Sequence, residues 1–95
     1  MFSLNAKQGR QGFSITFNNG YTVSVQWGHG NYCSNRDAEE PGESSTAETA
    51  VMVAGGFVPV NDEDVQGYQS ADEIAALISH VAKLPPIGQA PSITL

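Results

Sequence analysis

Phe13, Ile15 and Phe17 alternate with Ser14 and Thr16; beyond Asn18-Asn19-Gly20, Tyr21, Val23, Val25 and Trp27 alternate with Thr22, Ser24 and Gln26. Alternation of this length marks two strands, each burying one face. Parity then sets their register. A two-residue Asn19-Gly20 turn would place Phe17 opposite Thr22 and mix apolar with polar residues on both faces. A three-residue loop, Asn18-Asn19-Gly20, places Phe17 opposite Tyr21, Ile15 opposite Val23 and Phe13 opposite Val25. Every apolar side chain then shares one face, and Gly20 falls at the left-handed position such loops require.

The remaining patterns build a small α+β domain around that hairpin. Residues 1–12 form an N-terminal arm in which Phe2 and Leu4 suit a short edge strand. Residues 13–60 hold two hairpins separated by an acidic, Pro-Gly-interrupted loop over 34–46. In the second hairpin a Gly55-Gly56 turn pairs Val53 with Val58 and Val51 with Val60, and puts Met52 opposite Pro59. Pro59 has no amide hydrogen, so that strand belongs at a sheet edge. Glu48 is expected to face water. Gly67 is expected to turn the chain into a helix over 70–84, with Ser70 as N-cap and Glu73 completing a capping box. Ile74, Leu77, Ile78 and Val81 form one apolar stripe, and Pro85-Pro86 end the helix. Both hairpins need a cover, and this helix is the candidate. The tail over 85–95 is extended, with Ile93 and Leu95 free to dock on a neighbour.

Charge narrows the partners. Four basic residues against ten acidic ones give a net charge of −6, which disfavours nucleic-acid backbone and anionic membrane. The acids gather at 37–48 and 62–64 rather than in the long double row of a nucleic-acid mimic. No apolar run approaches the roughly 20 residues of a membrane span, and the first ten residues lack a signal pattern. Cys33 is the single cysteine, which fits a reducing cytoplasm. Ninety-five residues make a thin core. Together with the uncharged, hydroxyl-rich face of Ser14, Thr16, Thr22, Ser24 and Gln26, that thinness favours a homo-oligomer.

The richest candidate chemistry lies in the loop over 28–36, GHGNYCSNR. Gly28 and Gly30 let a ligand approach the main chain. Asn31, Asn35 and Arg36 supply donors, and Tyr32 supplies a stacking ring. This inventory suits a small anionic or nucleotide-like ligand, and Tyr68 falls against the hairpin or beside this loop. Asn and Ser side chains can equally satisfy the loop's own backbone. Cys33 with His29 and Asp37 has the residue types of a thiol nucleophile, but a spacing of four on an irregular loop implies no geometry. His29, Cys33 and His80 lack paired-cysteine spacing for zinc, and Asp62-Glu63-Asp64 lacks the alternating ligands of a calcium loop. No cofactor or metal is expected.

The segment FNNGYTVSVQWGHGNYCSNR, with VQGYQSADEIAALI, resembles a group of small bacteriophage and prophage proteins sharing FxNGxTVSVQxGxGNYCxNR and a later G-[YW]-x-S segment that opens a helix. The resemblance spans well over half of the chain. It implies viral origin and, since the group has no assigned reaction, little chemistry. The chain departs at His29, where the group often carries Pro, which shifts weight to Asn31, Tyr32, Asn35 and Arg36. The expected function is a non-enzymatic phage accessory protein, acting in the host cytoplasm as a sponge for a nucleotide-derived immune signal. The alternatives are an inhibitor docking its acidic loop on a host defence protein, and a small Cys33-dependent enzyme.

Overall fold

Phe17 and Tyr21 close the first hairpin as parity requires. The Phe17 N–H donates to the Tyr21 carbonyl at 2.9 Å, and Gly20 lies at φ +95°. A computed structural model describes residues 1–4, 10–54, 56–87 and 92–95. It contains β1 (Phe2–Leu4), β2 (Arg10–Thr16), β3 (Thr22–Gly28), β4 (Thr46–Val53), β5 (Gly56–Val58), β6 (Gln66–Ser70) and α1 (Ala71–Ala82). The strands make one antiparallel sheet in the order β1-β2-β3-β4-β5, with β6 also on β4. The fold is α+β, an antiparallel sheet with one C-terminal helix. In the β2–β3 register, Phe13 faces Val25, Ile15 faces Val23 and Thr16 faces Thr22. Ser14 pairs with Ser24, and the hydroxyls of Thr16 and Thr22 hydrogen-bond at 2.9 Å. The polar face is thus a ladder of cross-strand hydroxyl pairs.

The second hairpin pairs two residues earlier than parity alone suggests. Val53 lies opposite Gly56, Val51 opposite Val58 and Met52 opposite Phe57. Gly55 of the expected turn lies outside the described residues, and Gly56 is a strand residue. A shift of two preserves parity, so the same valines still face the core. It also moves Pro59 beyond the strand, where its missing N–H breaks no ladder bond. Val60 is thereby released to bridge both Glu63 and Ile93.

Strand β6 replaces the turn expected at Gly67. The three-residue β5 leaves the first half of β4 without a partner on that edge, and β6 fills it, with Thr46 opposite Ser70 and Ala47 opposite Gln69. The tail also differs from expectation. Ile93 docks on its own chain rather than a neighbour, 3 % exposed, with its N–H on the Pro59 carbonyl at 2.9 Å. Leu95 remains exposed.

Helix α1 starts at the Ser70 cap with both capping-box bonds formed, and its C-cap is Lys83, slightly short of the expected end. It packs on β3, β4 and β6. Leu77 and Val81 enter the core with Tyr21, Val23, Val51 and Val58. Each such aliphatic side chain contributes about 1.5–3 kcal/mol when fully buried. The apolar face of the sheet is wider than one helix covers, so Phe2 and Leu4 stay exposed while Phe13, Trp27, Ile74 and Ile78 are half-buried. No helix among the described residues is long and apolar enough to cross a membrane.

Candidate functional site

At the end of β3, Gly28 (φ +97°) and Gly30 (φ +82°) turn the chain out of the sheet. The loop that follows is held by its own side chains. Asn31 is 2 % exposed and donates its Nδ2 to the Trp27 carbonyl at 3.0 Å. Asn35 Oδ1 accepts from the Gly28 N–H at 2.8 Å and from the Cys33 thiol at 3.2 Å. The Gly30 N–H closes the loop on the Arg36 carbonyl at 3.0 Å. Much of the NYCxNR string therefore encodes loop geometry: its two asparagines spend hydrogen-bonding capacity on the backbone turns around them.

Tyr32 and Arg36 point the other way. Tyr32 is 52 % exposed, Arg36 is exposed, and the guanidinium carbon lies 5.0 Å from the Tyr32 ring centroid. At an exposed site such a cation–π contact is worth about 0.5–1 kcal/mol, enough to bias the Arg36 rotamer. Tyr68 joins them from β6. Between Ala47 and Thr49 the β4–β6 register slips by one residue, and Tyr68 occupies this irregularity at φ +53°. A bulge sends its residue out of the ladder. The Tyr68 N–H donates to the Tyr32 carbonyl at 2.8 Å, and its ring is exposed. Left-handed backbone costs a tyrosine about 1–2 kcal/mol. Gly67 permits the approach, because a Cβ there would sit 2.9 Å from the Tyr32 Cβ. Glu48, expected to face water, is instead half-buried, with Oε2 accepting the Tyr32 N–H at 2.8 Å.

Of the residues singled out from the sequence, Tyr32 and Arg36 are thus in contact and exposed, and Tyr68, also exposed, is tied to Tyr32 through the backbone. Gly28, Gly30, Asn31 and Asn35 form the frame beneath them. Cys33 is 1 % exposed, and its thiol partners are Asn35 and the Gly28 carbonyl, whereas His29 is exposed. Of the acids at 62–64, Asp62 lies within a tight turn, where it and Asn61 both have positive φ, and Glu63 closes that turn by pairing with Val60. That is the two-residue turn with two left-handed positions. Among the described residues no group of three or more His, Cys, Asp or Glu is placed to hold a metal ion.

Sequence reasoning missed a second concavity. A cleft of about 810 Å³ opens between α1 and the β2–β3 side of the sheet, walled by Phe13, Trp27, Ile74 and Ile78 and by the segment over 42–46. The available signal was that two hairpins offer more apolar face than one helix covers. Tethers shape the far wall. The Gly42 N–H donates to Gln11 Oε1 at 2.9 Å, and the Ser34 N–H to Thr46 Oγ1 at 2.9 Å. No family model, curated protein or solved structure matches the chain.

Proposed function

We propose that the chain is a non-enzymatic phage accessory protein that binds a small anionic, base-bearing ligand on the Tyr32–Arg36–Tyr68 face. Its most concrete form is a sponge for a host nucleotide-derived immune signal. The observation that carries this reading is the division of labour within one loop. Asn31, Asn35 and Cys33 are turned inward and hydrogen-bonded, while two aromatic rings and a guanidinium are held outward within one hydrogen-bonded unit. Arg36 pairs with a phosphate, and Tyr32 and Tyr68 stack on a base. The strained Tyr68 supports the reading, because strain of this kind gathers at ligand sites. The inward thiol of Cys33 favours binding over nucleophilic chemistry.

Magnitudes add a constraint. A charge-assisted bond contributes about 1.5–3 kcal/mol, and each stacked ring about 1–3 kcal/mol. One face therefore offers about 3.5–9 kcal/mol, millimolar to submicromolar affinity before the cost of association is subtracted. A tight sponge needs two such faces around one ligand, so the reading includes a homo-oligomer. The test is calorimetric titration with a panel of linear and cyclic nucleotides. Binding by the parent chain, weakened roughly ten- to hundredfold by Arg36→Ala and comparably by Tyr32→Ala, supports the reading, with Cys33→Ser unchanged. A nucleotide that binds equally to parent, Arg36→Ala and Tyr32→Ala places the site elsewhere.

A further inference from the structure

The cleft is lined by Gln69 of β6 and not by Tyr68, Tyr32 or Arg36. Along one wall, Ala71, Ile74, Ala75 and Ile78 recur at i, i+3, i+4 and i+7, a stripe of α1 beside the one that packs on the core. At 1.5 Å per residue this wall runs about 10 Å, two helical turns. Ala71 and Ala75 are small, which lets a second helix approach at the short end of the usual 8–10 Å interaxial distance. Phe13 and Trp27 supply the facing wall.

The described part of the rim is acidic. Glu43 is the charged side chain among the described lining residues, and Glu39 and Glu40 are exposed on the same segment. Asp72 is exposed beside Ala71 at the helix start. The Gly42–Gln11 hydrogen bond holds the Glu43 segment against the groove. An apolar trough two turns long, with Glu43 at its edge and further exposed acids on the segments that flank it, is complementary to a helix having an apolar stripe and basic flanks. A second copy packed groove to groove would set its own Glu43 against this one. An anionic lipid surface meets the same repulsion.

We infer that this groove docks a short basic amphipathic helix of a partner protein. The inference is independent of the Tyr32–Arg36–Tyr68 reading and uses none of its residues.

Trp27 is the single tryptophan and lines the groove, so its fluorescence reports occupancy directly. The probes are two tryptophan-free amphipathic peptides with the same leucine stripe, one with lysine flanks and one with glutamate flanks. The lysine peptide should give a saturable blue shift, and the glutamate peptide should bind at least tenfold more weakly. Ala75→Gln, an exposed position where bulk enters the groove without a change of charge, should weaken the lysine peptide at least tenfold. Glu39→Lys, Glu40→Lys and Glu43→Lys together should reverse the preference between peptides. Equal binding of both peptides, or lysine-peptide binding that Ala75→Gln leaves intact, would overturn the inference. So would a fluorescence shift that depends on protein concentration alone and vanishes in Ala75→Gln, since the groove would then belong to a second copy.

Discussion

The Asn19 side-chain amide donates to the Val81 carbonyl at 2.8 Å and to the Leu84 carbonyl at 3.0 Å, while its Oδ1 accepts the Tyr21 N–H at 3.1 Å. One turn residue thus satisfies carbonyls at the open end of α1 and rigidifies the hairpin loop. Asn19→Ala removes all three bonds and leaves partly buried carbonyls without this donor. We expect a loss of about 1–3 kcal/mol, read from the urea midpoint. An unchanged midpoint would mean that the hairpin turn and the helix end are not coupled.

Gly20 lies at φ +95°, and a Cβ built there would meet Ile87 Cδ1 at 2.8 Å. Gly20→Val therefore imposes both backbone strain and a contact with the segment after the helix. The expected loss exceeds about 1 kcal/mol, measured by thermal or urea unfolding. A smaller loss would contradict the three-residue loop.

Thr49 runs against intuition. It is 1 % exposed and lies opposite Val25, and its hydroxyl has no hydrogen-bond partner among the described residues. An unpartnered buried hydroxyl carries a desolvation cost of about 1–3 kcal/mol. Valine keeps the branched shape that suits a strand. Thr49→Val is expected to raise the urea midpoint. A lowered midpoint would reveal a hydrogen bond to an ordered water at this position.

The capping carboxylate predicts an acid limb. Hydrogen bonds from the Ser70 backbone N–H, and secondarily from the Ser70 side chain, hold Glu73 below the ordinary carboxylate pKa. The folded value is thus depressed relative to the unfolded one. Its contribution is present above the unfolded pKa and is lost as pH falls through the folded value. Glu73→Gln keeps an acceptor and cannot titrate. The difference in urea midpoint between parent and variant should therefore narrow on acidification through the carboxylate range. A constant difference would show that the box does not form in solution.

How much was legible depended on whether an element had a pattern that burial enforces. The first hairpin was readable to the residue because a slip by one would turn Phe13, Ile15 and Phe17 to water. The helix was readable from Ser70, Glu73 and the stripe ending at Val81. The second hairpin was readable in face but not in register, since a shift of two leaves the valines where they were. Strand β6 was not readable. QGYQS has no apolar alternation, and what recruits it is the bare edge of β4, a property of the assembled sheet. The candidate face divides likewise. Tyr32 and Arg36 were visible by type, but the inward turn of Asn31 and Asn35 depends on backbone groups that only the folded loop presents.

Native mass spectrometry of the chain recovered from phage-infected bacteria tests the central claim most directly. The account predicts an oligomer carrying additional mass of nucleotide size, with absorbance in the nucleobase band. That mass should persist in Cys33→Ser and be lost when Tyr32→Ala and Arg36→Ala are combined. Bare polypeptide from the parent chain would contradict it.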